Sequence, residues 1–189
     1  MPDVFIIWDN SNIHYGGLDQ VRPIKEPNSV KELYRTHFMN LLNLVTAGRS
    51  IGKVIFVGST PPEADAIWKY LRSIGINPDT IARSADGGEN DTTDHLLQTK
   101  LLRLAFDYEP GVIALLSGDG AGINQNRGFF ADLKRMSSKG WQVEVYAWDE
   151  NCHTDMKKYA KEHWSFTNLS DYYEHITFLQ GERPATPLC

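Results

Sequence analysis

The stretch VFIIWDNSNIHYG, residues 4–16, decides the fold of this chain. Its first five residues are all apolar and three of them are β-branched, which is typical of a strand buried on both faces. The strand runs directly into four polar residues, DNSN at positions 9–12. In an open parallel α/β sheet, ligands bind at the carboxyl ends of the strands, so this turn is the first place to look for a functional site.

Segments of similar apolar character recur along the chain at residues 54–57, 112–116 and 143–148, with a weaker candidate at 80–83. Apolar residues at helical spacing lie between or after them. These predicted helices cover residues 30–46, 63–74, 92–106, 129–138 and 154–162. Alternating strands and helices predict βαβ units, and therefore a three-layer α/β/α sandwich with a mainly parallel central sheet.

Two segments have neither a strand nor a helix pattern, and one of them sets the carboxyl-terminal limit of the predicted domain. Residues 16–29 lack a clear periodicity and are predicted to form a long loop, a kind of segment that is often functional in compact domains. The polar, proline-containing residues 179–189 are predicted to be a flexible tail. With 189 residues in all, we expect a single domain over residues 1–178.

Composition narrows the function classes. Hydrophobic residues make up 41% of the chain, but no apolar run has the length of a membrane span and the amino terminus does not resemble a secretory signal. The two cysteines, Cys152 and Cys189, show no zinc spacing, so we expect no disulfide-linked partner and a cytoplasmic protein. A net charge of −5 excludes a globally basic nucleic-acid binder, but it allows an acidic metal site beside a local basic rim.

Acidic residues stand at several predicted strand ends. Asp9 follows the first strand, Asp119 follows the strand at 112–116, and Asp91 and Asp94 open the helix at 92–106. Carboxylates that meet at one edge repel each other unless a cation lies between them. Hard oxygen ligands without a Cys/His set favour Mg²⁺ or Mn²⁺, ions suited to phosphate chemistry.

Each acid also has a purely structural interpretation. Asp9 could begin a turn, because Asp side chains fold back onto their own backbone. Asp91 could cap the helix, with Asp94 in its first turn favourable to the helix dipole. Asp119 lies between two glycines, as in a tight turn, yet it also follows a central buried strand, which is an unusual place for an unpaired charge. Of the six histidines, His14 alone lies close to Asp9 in the sequence.

Three blocks of sequence together resemble a known family. VFIIWDNSNIHYG, ENDTTDHLLQTKLLRLA and VIALLSGDGAG occur in the order and at the distances of the NYN domain, a PIN-like nuclease family. The resemblance covers about residues 3–148. It implies a PIN-like fold and a metal-dependent ribonuclease whose clustered acids bind Mg²⁺ or Mn²⁺.

Position by position, the resemblance implies that Asp9, Asp94 and Asp119 are the metal-binding and catalytic acids, with Asp91 as the rival of Asp94. It also implies that Asn12 orients a metal-bound water or the phosphate. Many members carry a second acid in Ser-Gly-Asp-x-Asp, where this chain has Ala121. Either another residue of the chain supplies the fourth metal ligand, or the site has only three acids. The residues considered for it are Asn124, Asp132 and Asp149.

Substrate contacts are expected at the same edge. The resemblance implies that Ser117 is an accessory hydrogen-bonding residue beside Asp119. Tyr15 could stack on an unpaired base. Basic residues in the predicted loops could grip the RNA backbone. They are Arg22, Lys25, Arg83 and Arg127.

The sequence thus predicts an endoribonuclease that hydrolyses a phosphodiester of RNA, expected to be single-stranded, by attack of metal-activated water without a covalent intermediate. The alternative is a PIN-like module that has lost catalysis and only binds RNA or protein, which Ala121 keeps open. A haloacid dehalogenase phosphatase would need a second Asp where Ser11 stands, and a response-regulator receiver would need an adjacent acidic pair where Asn10 stands. A nucleotide-binding glycine motif is absent from the sequence.

Overall fold

The computed structural model describes residues 1–58, 60–61, 65–81, 91–120 and 128–188, and for residues 91–96 it describes the backbone alone. Arg83, Ala121, Asn124, Arg127 and Cys189, which the sequence analysis singles out, lie outside the described residues.

Strands alternate with helices along the described chain. The strands are β1 Val4–Asp9, β2 Tyr34–Thr36, β3 Ile51–Val57, β4 Asp79–Ile81, β5 Val112–Leu116, β6 Gln142–Ala147, β7 Ser165–Asn168 and β8 Thr177–Leu179. The α-helices are α1 Asn10–Gly16, α2 Arg22–Lys25, α3 Phe38–Thr46, α4 Ala66–Ser73, α5 Asp91–Asp107, α6 Gly128–Ser138, α7 Thr154–His163 and α8 Tyr173–Ile176. A π-helical turn, Gly17–Val21, joins α1 to α2.

Six of these strands form one parallel sheet in the order β4-β3-β1-β5-β6-β7. The predicted α/β fold with a mainly parallel central sheet is confirmed. The chain adds β3 and β4 on one side of β1 and then β5, β6 and β7 on the other. This reversal between β1 and β5 is the topological switch point, where the loops after two neighbouring strands diverge and leave a crevice.

Both faces of the sheet are covered, as the apolar run of β1 predicts. Val4, Ile6 and Trp8 pack into one core, and Phe5 and Ile7 pack into the other. Helices α3 and α4 cover the first face through residues that include Leu41, Leu42, Val45, Ile67 and Trp68. Helices α5, α6 and α7 cover the second face through residues that include Leu101, Leu104, Leu133 and Met156. The result is the expected three-layer sandwich.

The prediction of one helix over residues 30–46 was wrong in its first half. Only α3 is α-helical, and Lys31–Leu33 is a short 3₁₀ turn that leads into β2. In β2, Tyr34 and Thr36 are buried while Arg35 is exposed, so burial alternates with the period of a strand. The strand pairs antiparallel with β8, which is far away in sequence, and this pairing overrides the local helical spacing.

The prediction of a loop over residues 16–29 was also wrong, because this segment is helical as far as Lys25. Leu18 and Val21 are buried and anchor it to the core, whereas the residues between them are exposed. These helical turns form a wall beside the carboxyl end of β1.

Residues 179–188, whose composition predicts a flexible tail, contact the domain. Arg183 forms a salt bridge with Glu26 and donates a hydrogen bond to the Thr177 hydroxyl oxygen at 2.9 Å. The Thr186 N–H donates to the carbonyl of Glu174 at 2.8 Å. These bonds tie the segment to β8 and to the residues that follow α2. Among the described helices none combines the length and apolar character needed to cross a membrane.

Candidate functional site

Asp9 ends β1 and begins α1. Its Oδ1 accepts a hydrogen bond from the Asn12 backbone N–H at 3.1 Å, which makes it the N-cap of the helix. The helix follows immediately because this side chain satisfies one of the N–H groups that a helix start leaves unpaired. Asp9 is 8% exposed, so an acidic group is held nearly buried at the carboxyl edge of the central strand. The structural interpretation of Asp9 therefore applies in part, as a helix cap.

Asn12 links the two loops at the switch point. Its side-chain Oδ1 accepts a hydrogen bond from the Gly118 N–H, in the loop after β5, at 2.8 Å. Because the backbone N–H can only donate, the amide oxygen faces Gly118 and the two N–H hydrogens of Asn12 belong to the opposite side of the amide group. Asn12 can therefore donate hydrogen bonds to a ligand on that side.

Ser117 and Asp119 shape the loop after β5. The Asp119 N–H donates to the Ser117 Oγ at 3.2 Å, and Ser117 itself is only 6% exposed. Asp119 is exposed, so the buried serine forms the base of a turn that carries the carboxylate at the surface. Ser117 thus supports Asp119 from beneath the loop.

One depression brings the predicted residues together. Asp9, Asn12, Tyr15 and Asp119 line an open space of about 290 Å³. Tyr15 is 54% exposed there, so its ring has a solvent-accessible face. A second, larger depression of about 540 Å³ adjoins the first and shares four lining residues with it. The shared residues are Asn12, Gln20, Asp119 and Asn151.

The loop after β6 closes one side of this region. Its Trp148 indole donates to the carbonyl of Ile13 in α1 at 2.7 Å, and its His153 N–H donates to the carbonyl of Gly118 at 2.9 Å. A Cβ on Gly118 would come within 3.0 Å of the Cys152 Cα, so glycine permits this close approach of the two backbones. The loop that carries Asp119 is consequently wedged between α1 and residues 148–153.

Two of the acids considered for a fourth position are engaged elsewhere. Asp149 lies 3.0 Å from the Lys157 ammonium, and Asp132 pairs with Arg135 one turn later in α6. Neither lines the two depressions. An acid that does line the smaller one is Asp19, which also pairs with Lys31 at 2.7 Å.

The other candidates on this side of the sheet have different surroundings. The Arg22 guanidinium donates to the carbonyls of Leu18 and Ser29, so it holds the helical wall together. Lys25 is exposed. His14 contacts the Thr36 hydroxyl at 3.1 Å, and burial, with a contribution from the nearby Arg35 charge, lowers the pKa of its ring.

The two helix acids are located by their backbone alone. Helix α5 runs from the carboxyl end of β4 back to the start of β5, so its first turn, with Asp91 and Asp94, begins at the same edge of the sheet as Asp9 and Asp119. Within the described side chains, which exclude those of Asp91 and Asp94, no three His, Cys, Asp or Glu residues are grouped closely enough to hold one metal ion.

The structure adds residues that the sequence analysis missed. Asp19, Gln20 and Asn151 line the depressions, although none follows a predicted strand directly. Asp19 and Gln20 belong to the segment 16–29, which is predicted to be a functional loop. Its sequence does not indicate which of its residues face the site. Asn151 follows β6 by four residues, and it reaches the site only because the loop folds back over Gly118.

Comparisons with known proteins agree with this architecture. The NYN domain model matches residues 3–169 of the chain. A solved structure of a protein of unknown function from Vibrio parahaemolyticus is similar with a TM-score of 0.57 and 14% sequence identity, and the match covers 89% of this chain and 93% of the other. At that identity the likeness concerns the fold alone. No curated protein matches the chain.

Proposed function

The chain belongs to the NYN domain family, and on that basis we propose that it is a metal-dependent endoribonuclease that hydrolyses phosphodiester bonds of RNA. The observation that carries the proposal is the meeting of Asp9 and Asp119 in one depression at the switch point of the sheet. NYN domains are generally nucleases, and a parallel α/β sheet binds its ligands in the crevice at the carboxyl ends of the strands, at the switch point.

The donor set of this depression fits a hard divalent cation. Asp9 and Asp119 offer carboxylate oxygens, and no described thiolate or imidazole competes at the same point. Burial raises the pKa of Cys152, in the adjoining depression, to about 11, so its thiol stays protonated at neutral pH and is a poor ligand. When bound, Mg²⁺ or Mn²⁺ would neutralise phosphate charge and help to activate water.

Asp94 is the proposed third acid, as the family resemblance implies, and Asp91 is its rival. Both lie in the first turn of α5, which begins at the carboxyl edge of the sheet. They are separated by about 4.5 Å along the helix axis.

The remaining residues of the depression suit a nucleic-acid strand. Asn12 offers amide hydrogens to a phosphate oxygen, because its own oxygen is bonded to Gly118. Tyr15 offers an exposed ring on which an unpaired base can stack. Open depressions adjoin Asp119 on two sides, which leaves room for a strand to continue past the scissile phosphate and supports internal cleavage rather than removal of an end.

The alternative is a module that binds RNA or protein without catalysis. It is favoured by Ala121, where many members of the family carry an acid, and by the engagement of Asp132 and Asp149 with basic partners. The two functions differ in one requirement, since only the enzyme needs a metal for its activity.

The test is cleavage of a circular single-stranded RNA by the purified protein with Mg²⁺, with Mn²⁺ and with chelator. The proposal predicts metal-dependent conversion of the circle to linear product, and no conversion with chelator. Binding of the RNA without cleavage under any metal condition would contradict the enzyme and support the module. A circular single-stranded DNA of the same sequence measures the preference for RNA.

A further inference from the structure

The side-chain amide of Asn151 is one of three on the boundary of the two depressions, together with those of Asn12 and Gln20. It lines both of them, beside Asp119 and Gln20. Its position is fixed by packing, because a Cβ on Gly16 would come within 2.5 Å of its Nδ2 and a Cβ on Gly118 would come within 3.1 Å of its carbonyl oxygen. Glycine at both positions therefore lets Asn151 sit between α1 and the loop that carries Asp119.

The polar neighbours of Asn151 have partners, whereas its amide has none in the part of the chain that the structure describes. Asp149 pairs with Lys157, and Glu150 accepts a hydrogen bond from the Ser170 hydroxyl. Asn151 uses only its backbone N–H, which donates to the carbonyl of Trp148 at 3.2 Å. A half-buried primary amide with two N–H donors is thus presented to the depressions without an internal bond to break.

The larger depression is lined by neutral hydrogen-bond donors as well as by acids. The His153 Nδ1 accepts from the Asp155 N–H at 3.3 Å, so in the neutral ring the hydrogen is on Nε2. Glu150 is the acid that this depression does not share with the first one, and it is bonded to Ser170. Neutral donors next to the acidic centre suit the phosphate that follows the one which a metal ion at Asp9 and Asp119 would hold.

We propose that the larger depression binds the phosphate adjacent to the scissile one and that Asn151 donates a hydrogen bond to it. This inference rests on the proposed function and adds a substrate requirement, namely a strand with a charged backbone phosphate on one particular side of the cleavage position. Asn151 acts here as a substrate-binding residue, so its loss weakens binding without removing the acids at Asp9 and Asp119.

Binding is measured by fluorescence anisotropy with a labelled single-stranded RNA and the Asp119→Asn chain, which limits turnover during the titration. Adding Asn151→Ala is expected to raise the Kd about tenfold, the effect of losing one hydrogen bond to a charged group. The matched control is Asn43→Ala, which removes an exposed asparagine from α3 at the opposite edge of the sheet and is expected to leave the Kd unchanged. Asn151→Asp is the second variant, for use if Asn151→Ala disturbs folding. It keeps the shape against Gly16 and adds a negative charge, so a larger loss of affinity is expected.

A set of RNAs, each with one phosphate replaced by a neutral methylphosphonate, separates contact from structure. At one position the replacement is expected to weaken binding about tenfold when Asn151 is present and to have no further effect with Asn151→Ala. Equal losses in both chains at every position, or an Asn151→Ala chain that binds like Asn43→Ala, would overturn the inference. If the wild type leaves RNA uncut but this coupling persists, the proposed function fails and the phosphate contact stands. Absence of RNA binding by the wild type overturns both.

Discussion

The side-chain oxygen of Asn12 and the backbone N–H of Gly118 are joined by a 2.8 Å hydrogen bond that crosses the switch point of the sheet. The bond couples the end of β1 to the end of β5, and thereby fixes how far Asp9 and Asp119 stand from each other. It also orients the Asn12 amide hydrogens away from Gly118. One side chain thus sets both the geometry of the acids and the position of a donor.

Replacing Asn12 tests these two roles separately. Asn12→Asp keeps an oxygen that can accept from Gly118 but replaces the N–H donors by a negative charge, so we expect the bond to Gly118 to be kept and RNA cleavage to fall about tenfold or more. Asn12→Ala removes both, and the unpaired Gly118 N–H should also cost about 1–2 kcal/mol of unfolding free energy. Urea unfolding and initial cleavage rates measure the two effects. Equal cleavage by Asn12→Asp and the wild type would show that the donors are not used.

Tyr15 offers a second test of the substrate surface. Tyr15→Ala should weaken binding of single-stranded RNA by about 1–3 kcal/mol, which is the usual contribution of one base stacked on an aromatic ring. The matched control is Tyr70→Ala on α4, which removes a ring that is 40% exposed, compared with 54% for Tyr15. Anisotropy titrations at one salt concentration compare the two. Similar losses for both variants would refute a base contact at Tyr15.

Gly118 should not tolerate a side chain. The added Cβ of Gly118→Ala would lie 3.0 Å from the Cys152 Cα and 3.1 Å from the Asn151 carbonyl oxygen, and both contacts are to backbone that cannot rotate away. We expect a loss of about 1–3 kcal/mol in unfolding free energy and a large loss of cleavage, because the loop that carries Asp119 must shift. Gly75→Ala, where no atom lies within 4 Å of the new Cβ but φ is +79°, strains the backbone without a clash, so it should lower the unfolding free energy and leave cleavage unchanged. Full cleavage activity of folded Gly118→Ala would contradict the close packing of the loop that carries Asp119 against Asn151 and Cys152.

The pairing of Arg183 with Glu26 predicts a pH-dependent stability. Burial alone would raise the pKa of Glu26, but hydrogen bonds from Arg183 and Tyr173 outweigh it and lower that pKa below its ordinary value of 4.5. A lowered folded-state pKa means that the stabilisation is complete above about pH 4.5 and is lost as the pH falls through the folded-state value. Arg183→Met should therefore destabilise the protein by about 2 kcal/mol at pH 7.

The same substitution should matter less in acid. The difference between wild type and Arg183→Met, measured by urea unfolding, is expected to shrink below about pH 4.5. Arg135→Met, which removes an arginine whose side chain is 63% exposed, is the control and should have little effect at either pH. A difference that does not change with pH would mean that Arg183 stabilises the protein through its hydrogen bonds to Thr177 and its packing, and not through the charge of Glu26.

The sequence predicts the sheet well wherever a strand is buried on both faces. Residues 112–116 were assigned without error as β5, since five consecutive apolar residues leave few alternatives. Strand β7 was missed because Ser165–Asn168 is only partly buried and has no apolar run. The local spacing predicts helix where β2 lies, because the partner of β2 is β8, more than a hundred residues away, and the spacing carries no sign of that pairing.

The candidate site could be predicted only in its strand-end part. Asp9, Asn12 and Asp119 follow strands directly, and the rule that ligands bind at carboxyl ends was enough to bring them together. Asp19 and Asn151 depend on how two connecting segments pack, through the burial of Leu18 and Val21 and through the contact with Gly118. The local spacing of residue types in the sequence does not reveal contacts between segments that are far apart in the chain.

The most direct test of the central claim compares Asp9→Asn and Asp119→Asn with the wild type in metal-dependent RNA cleavage, after circular dichroism has shown that both variants fold. Asp107→Asn, an exposed acid at the far end of α5, is the matched control. The account predicts that cleavage is lost in both site variants, by at least a hundredfold or about 2.7 kcal/mol of activation free energy, and is unchanged in the control. Metal-dependent cleavage that survives both substitutions would contradict the assignment of the active site to the ends of β1 and β5.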